Sequence, residues 1–110
     1  YSQAVTAGGF LFASGQIALN PATGELTLED IQQETTQVMA NIKAILDEAG
    51  YGFSNVVKTT IFLSDMSLFG DVNQIYGAYF TDAPPARETV AVKGLPKGVN
   101  VEISITAFKP

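Results

Sequence analysis

The chain has 110 residues, 46% of them hydrophobic and 15% charged, with a net charge of -5 at pH 7. That is the composition of one folded domain with a modest core, not of a disordered segment. It contains no His and no Cys, which excludes Ser–His–Asp and Cys–His catalysis, zinc sites built on those ligands, disulfides and thiol redox chemistry.

Residues 2–19, SQAVTAGGFLFASGQIAL, read as two short strands around Gly8-Gly9, a hairpin signal. NPATGE at 20–25 is a turn. A helix is expected over 27–50, with Thr27 as N-cap, Glu29 and Asp30 in the first turn, and Gly50 closing its end. Ile31, Val38, Ile42, Ile45, Leu46 and Ala49 would form its apolar stripe. Residues 54–64 are β-branched and aromatic, hence a strand. Strict alternation puts Val57, Ile61 and Leu63 on one face and Val56 and Phe62 on the other. Helical spacing returns over 65–80, with Leu68, Val72, Ile75, Tyr76 and Tyr79 near one face. RETVAV and VNVEISITAF are strands joined by KGLPKG. The order β-β-α-β-α-β-β describes a single α+β domain over 1–110, a mixed β-sheet with two helices on one face.

Apolar residues on both faces of strand 54–64 raise a packing problem, since two helices cover only one face. A second copy of the chain is the simplest cover, so a homo-oligomer with clefts at the subunit boundary is expected. No apolar run reaches 18 residues, so no membrane span is expected. The acidic balance argues against nucleic acid as the main partner, because phosphate recognition needs clustered Lys and Arg. The cytoplasm is the default compartment. The sequence starts at Tyr1 instead of Met, so an organellar location through a preceding targeting segment stays open.

Arg87, in PPARETVAV, is the only arginine. Its planar fork of donors matches a carboxylate in two places, which lysine cannot do. Arg87, Thr89 and Ala91 share one face of their strand, so Glu88 is not the partner of Arg87. Glu102 is a lone carboxylate in the polar row Asn100, Glu102, Ser104, Thr106 of the last strand. If strands 87–92 and 99–107 form a hairpin pairing Thr89 with Glu102, Arg87 comes within reach of Glu102. The bland readings are a structural ion pair between them and a solvent-facing glutamate. The chemical reading is a cleft for a small carboxylic acid, clamped by Arg87, with Glu102 free to handle a proton. Ser14-Gly15-Gln16 reads first as a strand bulge, and Asn73 as an exposed helix amide.

The segments YSQAV, FASGQIALNPATGEL, ANIKAILDEAG, VVKTTIFLSDM, FGDVNQIYGAYF, PPARETVAV and LPKGVNVEISITA, in this order, closely resemble the Rid (YjgF) family of enamine/imine deaminases. The resemblance covers essentially the whole chain. Its most specific part is Arg87 followed by LP and then by VEI with Glu102. It implies a chorismate-mutase-like (YjgF) fold and a homotrimer with three inter-subunit clefts. It implies that Arg87 binds the substrate carboxylate and that Glu102 positions or activates water. Tyr1, Ser14, Gly15, Asn73 and Thr89 match positions that line the pocket in relatives. Thr89 departs from well-known members, which carry Cys there.

The implied reaction hydrolyses 2-aminoacrylate- or 2-aminocrotonate-type enamines and imines to 2-oxo acids and ammonia. It needs no metal and no cofactor. The alternative is a trimer that binds a small 2-oxo or amino acid, or other proteins, without turnover. Chorismate mutase, which shares the implied fold, is set lower, because one Arg is a poor match for a dicarboxylate.

Overall fold

The computed structural model describes residues 1–110. The elements are β1 (Ala4–Ala7), β2 (Phe10–Gln16), α1 (Ile31–Ala49), β3 (Val56–Leu63), α2 (Phe69–Gly77), β4 (Ala86–Ala91) and β5 (Val101–Phe108). Short 3₁₀ turns precede β3, α2 and β5. The order and type of every main element agree with the sequence. The β1–β2 turn falls at Gly8 and Gly9, whose φ values of 55° and 87° lie where a side chain is disfavoured.

The start of α1 is later than expected. Asp30 is the N-cap, its carboxylate accepting from the Gln33 amide at 2.7 Å, so Thr27 lies outside the helix. A carboxylate is the better cap because it also complements the positive helix end. Gly50 ends α1 in the left-handed region at φ 80°, and the Tyr51 amide donates back to the Leu46 carbonyl. The next helix is delayed likewise. The Asp65 carboxylate accepts from the Ser67 amide, a 3₁₀ turn follows, and α2 begins at Phe69.

The sheet order is β1-β2-β5-β3-β4, antiparallel except for the parallel pair β3–β4. The β4–β5 hairpin does not form. A strand–helix–strand unit sets β4 parallel beside β3, so β3 separates β4 from β5. Burial explains the choice. Every inward residue of β5 (Val101, Ile103, Ile105, Ala107) is buried, which needs a partner strand on each side. β4 is largely exposed and tolerates the edge.

Both helices pack on one face of the sheet. Val38, Met39, Ile42 and Leu46 of α1 and Val72 and Tyr76 of α2 meet Leu11, Ile61, Leu63, Val101 and Ile103. Ala49 of the expected stripe is exposed. The strict alternation expected for β3 fails at its start. The pairing with β5 shifts between Val56 and Lys58, and this bulge turns Val56 into the core and leaves Val57 exposed. The other sheet face is open. Phe10, Phe12, Val90 and Phe108 lie exposed on it, with Phe10 stacked on Phe12 and tilted against Phe108.

Candidate active site

Arg87 sits on the edge strand β4, opposite Thr59 of β3, so its side chain leaves on the helix side of the sheet. There α2 receives it. A guanidinium N–H donates to Asn73 Oδ1 at 2.5 Å, and Arg87 Cζ lies 5.4 Å from the Phe69 ring centroid and 5.3 Å from that of Tyr76. Each cation–π contact of this kind contributes about 0.5–1 kcal/mol at an exposed site. Tyr76 is itself anchored, its hydroxyl 2.7 Å from the buried Thr59 hydroxyl. Burial raises the Tyr76 phenol above its ordinary pKa of 10.0, while the Thr59 bond and the Arg87 charge oppose the rise. A neutral phenol therefore faces the guanidinium.

The structure holds two ion pairs, Lys43–Asp47 and Lys58–Glu88, and neither involves Arg87. Arg87 is thus held in place by an amide and two rings, with no carboxylate to neutralise it. The structural ion pair to Glu102 weighed from sequence is absent within the chain. Thr89 shares the face of Arg87 two residues on, and its buried hydroxyl has no hydrogen-bond partner.

Glu102 lies on β5 opposite Phe62, on the open face. Its carboxylate rests against Gly15; a Cβ there would lie 1.9 Å from Glu102 Oε2. The space exists because β2 bulges between Ala13 and Gln16. Ser14, in that bulge, donates its hydroxyl to the Ser2 carbonyl at 2.6 Å and its amide to the Gln3 carbonyl at 2.8 Å. Tyr1, next to Ser2, is fully exposed.

The expected residues therefore fall into two groups. Arg87, Asn73 and Thr89 form one, and Glu102, Gly15 and Ser14, with Tyr1 nearby, form the other. Arg87 is level with Ile105 through Thr59, which is two strand spacings and three residues from Glu102. That is about 14 Å between backbones, and the two side chains leave opposite faces. The same-face placement assumed for a hairpin is overturned, and one protomer cannot bring both groups to one small molecule.

Three features escaped the sequence reading. Phe69 and Tyr76 flank Arg87, and their spacing with Asn73 (69, 73, 76) was the helical signal for it. Glu34 is a fully buried carboxylate on α1. It accepts from the Asn100 amide at 2.8 Å, from Asn100 Nδ2 at 2.8 Å and from the Val101 amide at 3.2 Å. A groove of about 650 Å³ lies between β1, β2 and α1. Tyr1 and Gly15 line it, but Arg87, Asn73, Thr89 and Glu102 do not.

The family model described as Endoribonuclease L-PSP matches residues 1–109. A RutC family protein of Synechocystis sp. is 52% identical, over 100% of this chain and 86% of its own. The crystal structure of the Rid protein family member YyfA from Yersinia pestis superposes with a TM-score of 0.97 at 48% identity, covering 99% of this chain and 87% of that one. RidA from the Antarctic bacterium Psychrobacter sp. gives a TM-score of 0.95 at 40% identity, covering 99% and 88%.

Proposed function

The chain belongs to the Endoribonuclease L-PSP family, which includes the RutC and Rid proteins, and from that membership we propose that it is an enamine/imine deaminase. The observation that carries the reading is Arg87: an exposed guanidinium, fixed by Asn73, Phe69 and Tyr76, with no carboxylate of its own. A fixed, unpaired guanidinium suits a ligand carboxylate, and each charge-assisted hydrogen bond to it contributes about 1.5–3 kcal/mol.

In this reading the substrate is a short 2-aminoacrylate- or 2-aminocrotonate-type enamine. Its carboxylate docks on the free N–H groups of Arg87, and Thr89 lies two residues on along the same strand face. The enamine takes a proton at carbon 3 and becomes the imine. Glu102 holds a water and accepts its proton as the oxygen attacks carbon 2. The resulting carbinolamine collapses, nitrogen leaves as ammonia, and a 2-oxo acid remains. Ser14, Gly15 and Tyr1 shape the wall beside Glu102. The uncatalysed hydrolysis already runs, so orientation and modest proton transfer suffice.

The separation of Arg87 from Glu102 supports a site shared between copies, with Arg87 of one protomer facing Glu102 of its neighbour. The exposed aromatic face supports the association itself. We take the assembly to be a homotrimer with three such clefts. Its ligands are then small carboxylic acids.

The test is pyruvate release from 2-aminoacrylate, generated from serine by a dehydratase, with semicarbazide trapping free imine. Wild type speeds release, and Arg87→Ala loses the acceleration while keeping the fold. Equal rates for the two folded proteins contradict the reading. Pyruvate binding without acceleration would make the protein a ligand-binding module instead. RNA cleavage without acceleration would favour the activity in the family's name.

A further inference from the structure

We infer that Glu34 is a positioning residue for Glu102, an inference that rests on the deaminase reading. The carboxylate of Glu34 is sealed from solvent in the first turns of α1, on the helix side of the sheet. It has no cation beside it. Three N–H donors surround it instead, two from Asn100 and one from Val101. Val101 is the first residue of β5, and Glu102 is the next.

The same Asn100 is tied on its other side to the end of β3. Its carbonyl accepts from the Ser64 amide at 3.0 Å, and its side-chain oxygen accepts from the Ser64 hydroxyl at 3.2 Å. Three pieces therefore meet at Glu34: the start of α1, the end of β3 and the start of β5. The chain that arrives there from β4 is irregular. It carries one 3₁₀ turn at Pro96–Gly98, with Lys97 at φ 57°. Such a segment does not by itself fix where the next strand begins. Glu34 adds to the Leu63–Val101 pairing with β3 by capturing two successive amides where β5 begins.

The consequence reaches the opposite face. Glu102 is bounded at both ends. Its backbone follows from the Val101 amide held by Glu34, and its carboxylate abuts the Gly15 backbone across the β2 bulge. A shift of β5 at residues 100–101 moves the base that must meet a water on a substrate held by Arg87 of another copy. An apolar residue at 34 would fill the space but leave two buried amides unpaired. Glutamine keeps one oxygen for both amides, and its NH₂ would meet the Asn100 amide oxygen once that side chain flips.

Three variants test this: Glu34→Ala, Glu34→Gln and Asn100→Ala. Each is read by kcat and KM for pyruvate release, by pyruvate affinity, and by amide hydrogen exchange at residues 100–103. Glu34→Ala and Asn100→Ala are expected to lose about tenfold or more in kcat, the scale of a small misplacement of a reacting group, with pyruvate affinity unchanged. Glu34→Gln is expected to stay within about threefold of wild type, because it restores the acceptor. Exchange at 100–101 should quicken in Glu34→Ala. Unchanged kcat in folded Glu34→Ala or Asn100→Ala overturns the inference, and so does an equal loss of kcat and pyruvate affinity. If Glu34→Ala does not fold, Asn100→Ala decides. If wild type gives no acceleration, the deaminase reading has failed, and unchanged exchange in Glu34→Ala then removes the clamp as well.

Discussion

A methyl group at position 15 would meet Glu102 Oε2 at 1.9 Å, so Gly15 is the residue that lets the carboxylate lie where it does. The obstacle is the far end of a flexible side chain, so the chain can fold around it. Gly15→Ala is therefore expected to keep near-normal stability and pyruvate affinity while kcat falls about tenfold or more. Normal kcat in that variant would show that the resting position of Glu102 is irrelevant to turnover. At this scale the sequence was informative. Arg87 stood out as the only arginine, and Glu102 as the one carboxylate in its strand. The ring cradle of Arg87 was less visible, because Tyr76 also read as an ordinary apolar-face position of a helix and Phe69 was not singled out. Glu34 was hidden for a related reason. A glutamate in the first turns of a helix is normally solvated, and only the tertiary fold brings amides to it.

Elements were legible where the signal is local. Gly50 and the Gly8-Gly9 turn act through neighbours within a few residues, whereas the start of α1 was read early, at Thr27 instead of Asp30. Pairing was not legible. The face of a strand is set by its own alternation, whereas its neighbours are set by which strands most need burial. That is why β5 lies between β2 and β3 and the expected hairpin does not form. Bulges erase parity as well, as Val56 and Val57 show.

The parallel contact that replaces the hairpin has its own chemistry. Glu88, on the open face of β4, accepts from the Thr60 hydroxyl at 2.6 Å and pairs with Lys58 at 2.9 Å on β3. The Thr60 bond first, and Lys58 second, hold the Glu88 carboxyl below its ordinary value of 4.5. A folded-state pKa below the unfolded one adds stability that is present above the ordinary value and is lost as pH falls through the lowered one. Wild type should therefore lose more stability than Glu88→Gln between about pH 6 and pH 3, followed by denaturant midpoint. Parallel curves would mean that the Thr60–Glu88–Lys58 cluster does not hold β4 to β3.

For the whole molecule the question is what covers the open face. Phe10, Phe12, Val90 and Phe108 are exposed on it, and in the proposed trimer a neighbouring copy covers them. Phe12 is exposed and anchors no buried core, so Phe12→Glu should leave the fold intact and break the assembly. Analytical ultracentrifugation should find three chains in the wild-type particle and one in the variant. A monomeric wild type would remove the shared cleft, and with it the only arrangement that brings Arg87 to Glu102. No helix is long and apolar enough to cross a membrane.

The shared site is tested most directly by mixing two variants that are each inactive alone. Arg87→Ala lacks the clamp, and Glu102→Gln lacks the base. Unfolded together at equal amounts, refolded and assayed for pyruvate release, they should recover about one quarter of wild-type activity, because a quarter of the clefts then draw an intact Arg87 from one chain and an intact Glu102 from the next. Each variant refolded by itself should stay inactive. A mixture as inactive as its components, while wild type refolds to full activity, would contradict a site built from Arg87 of one protomer and Glu102 of its neighbour.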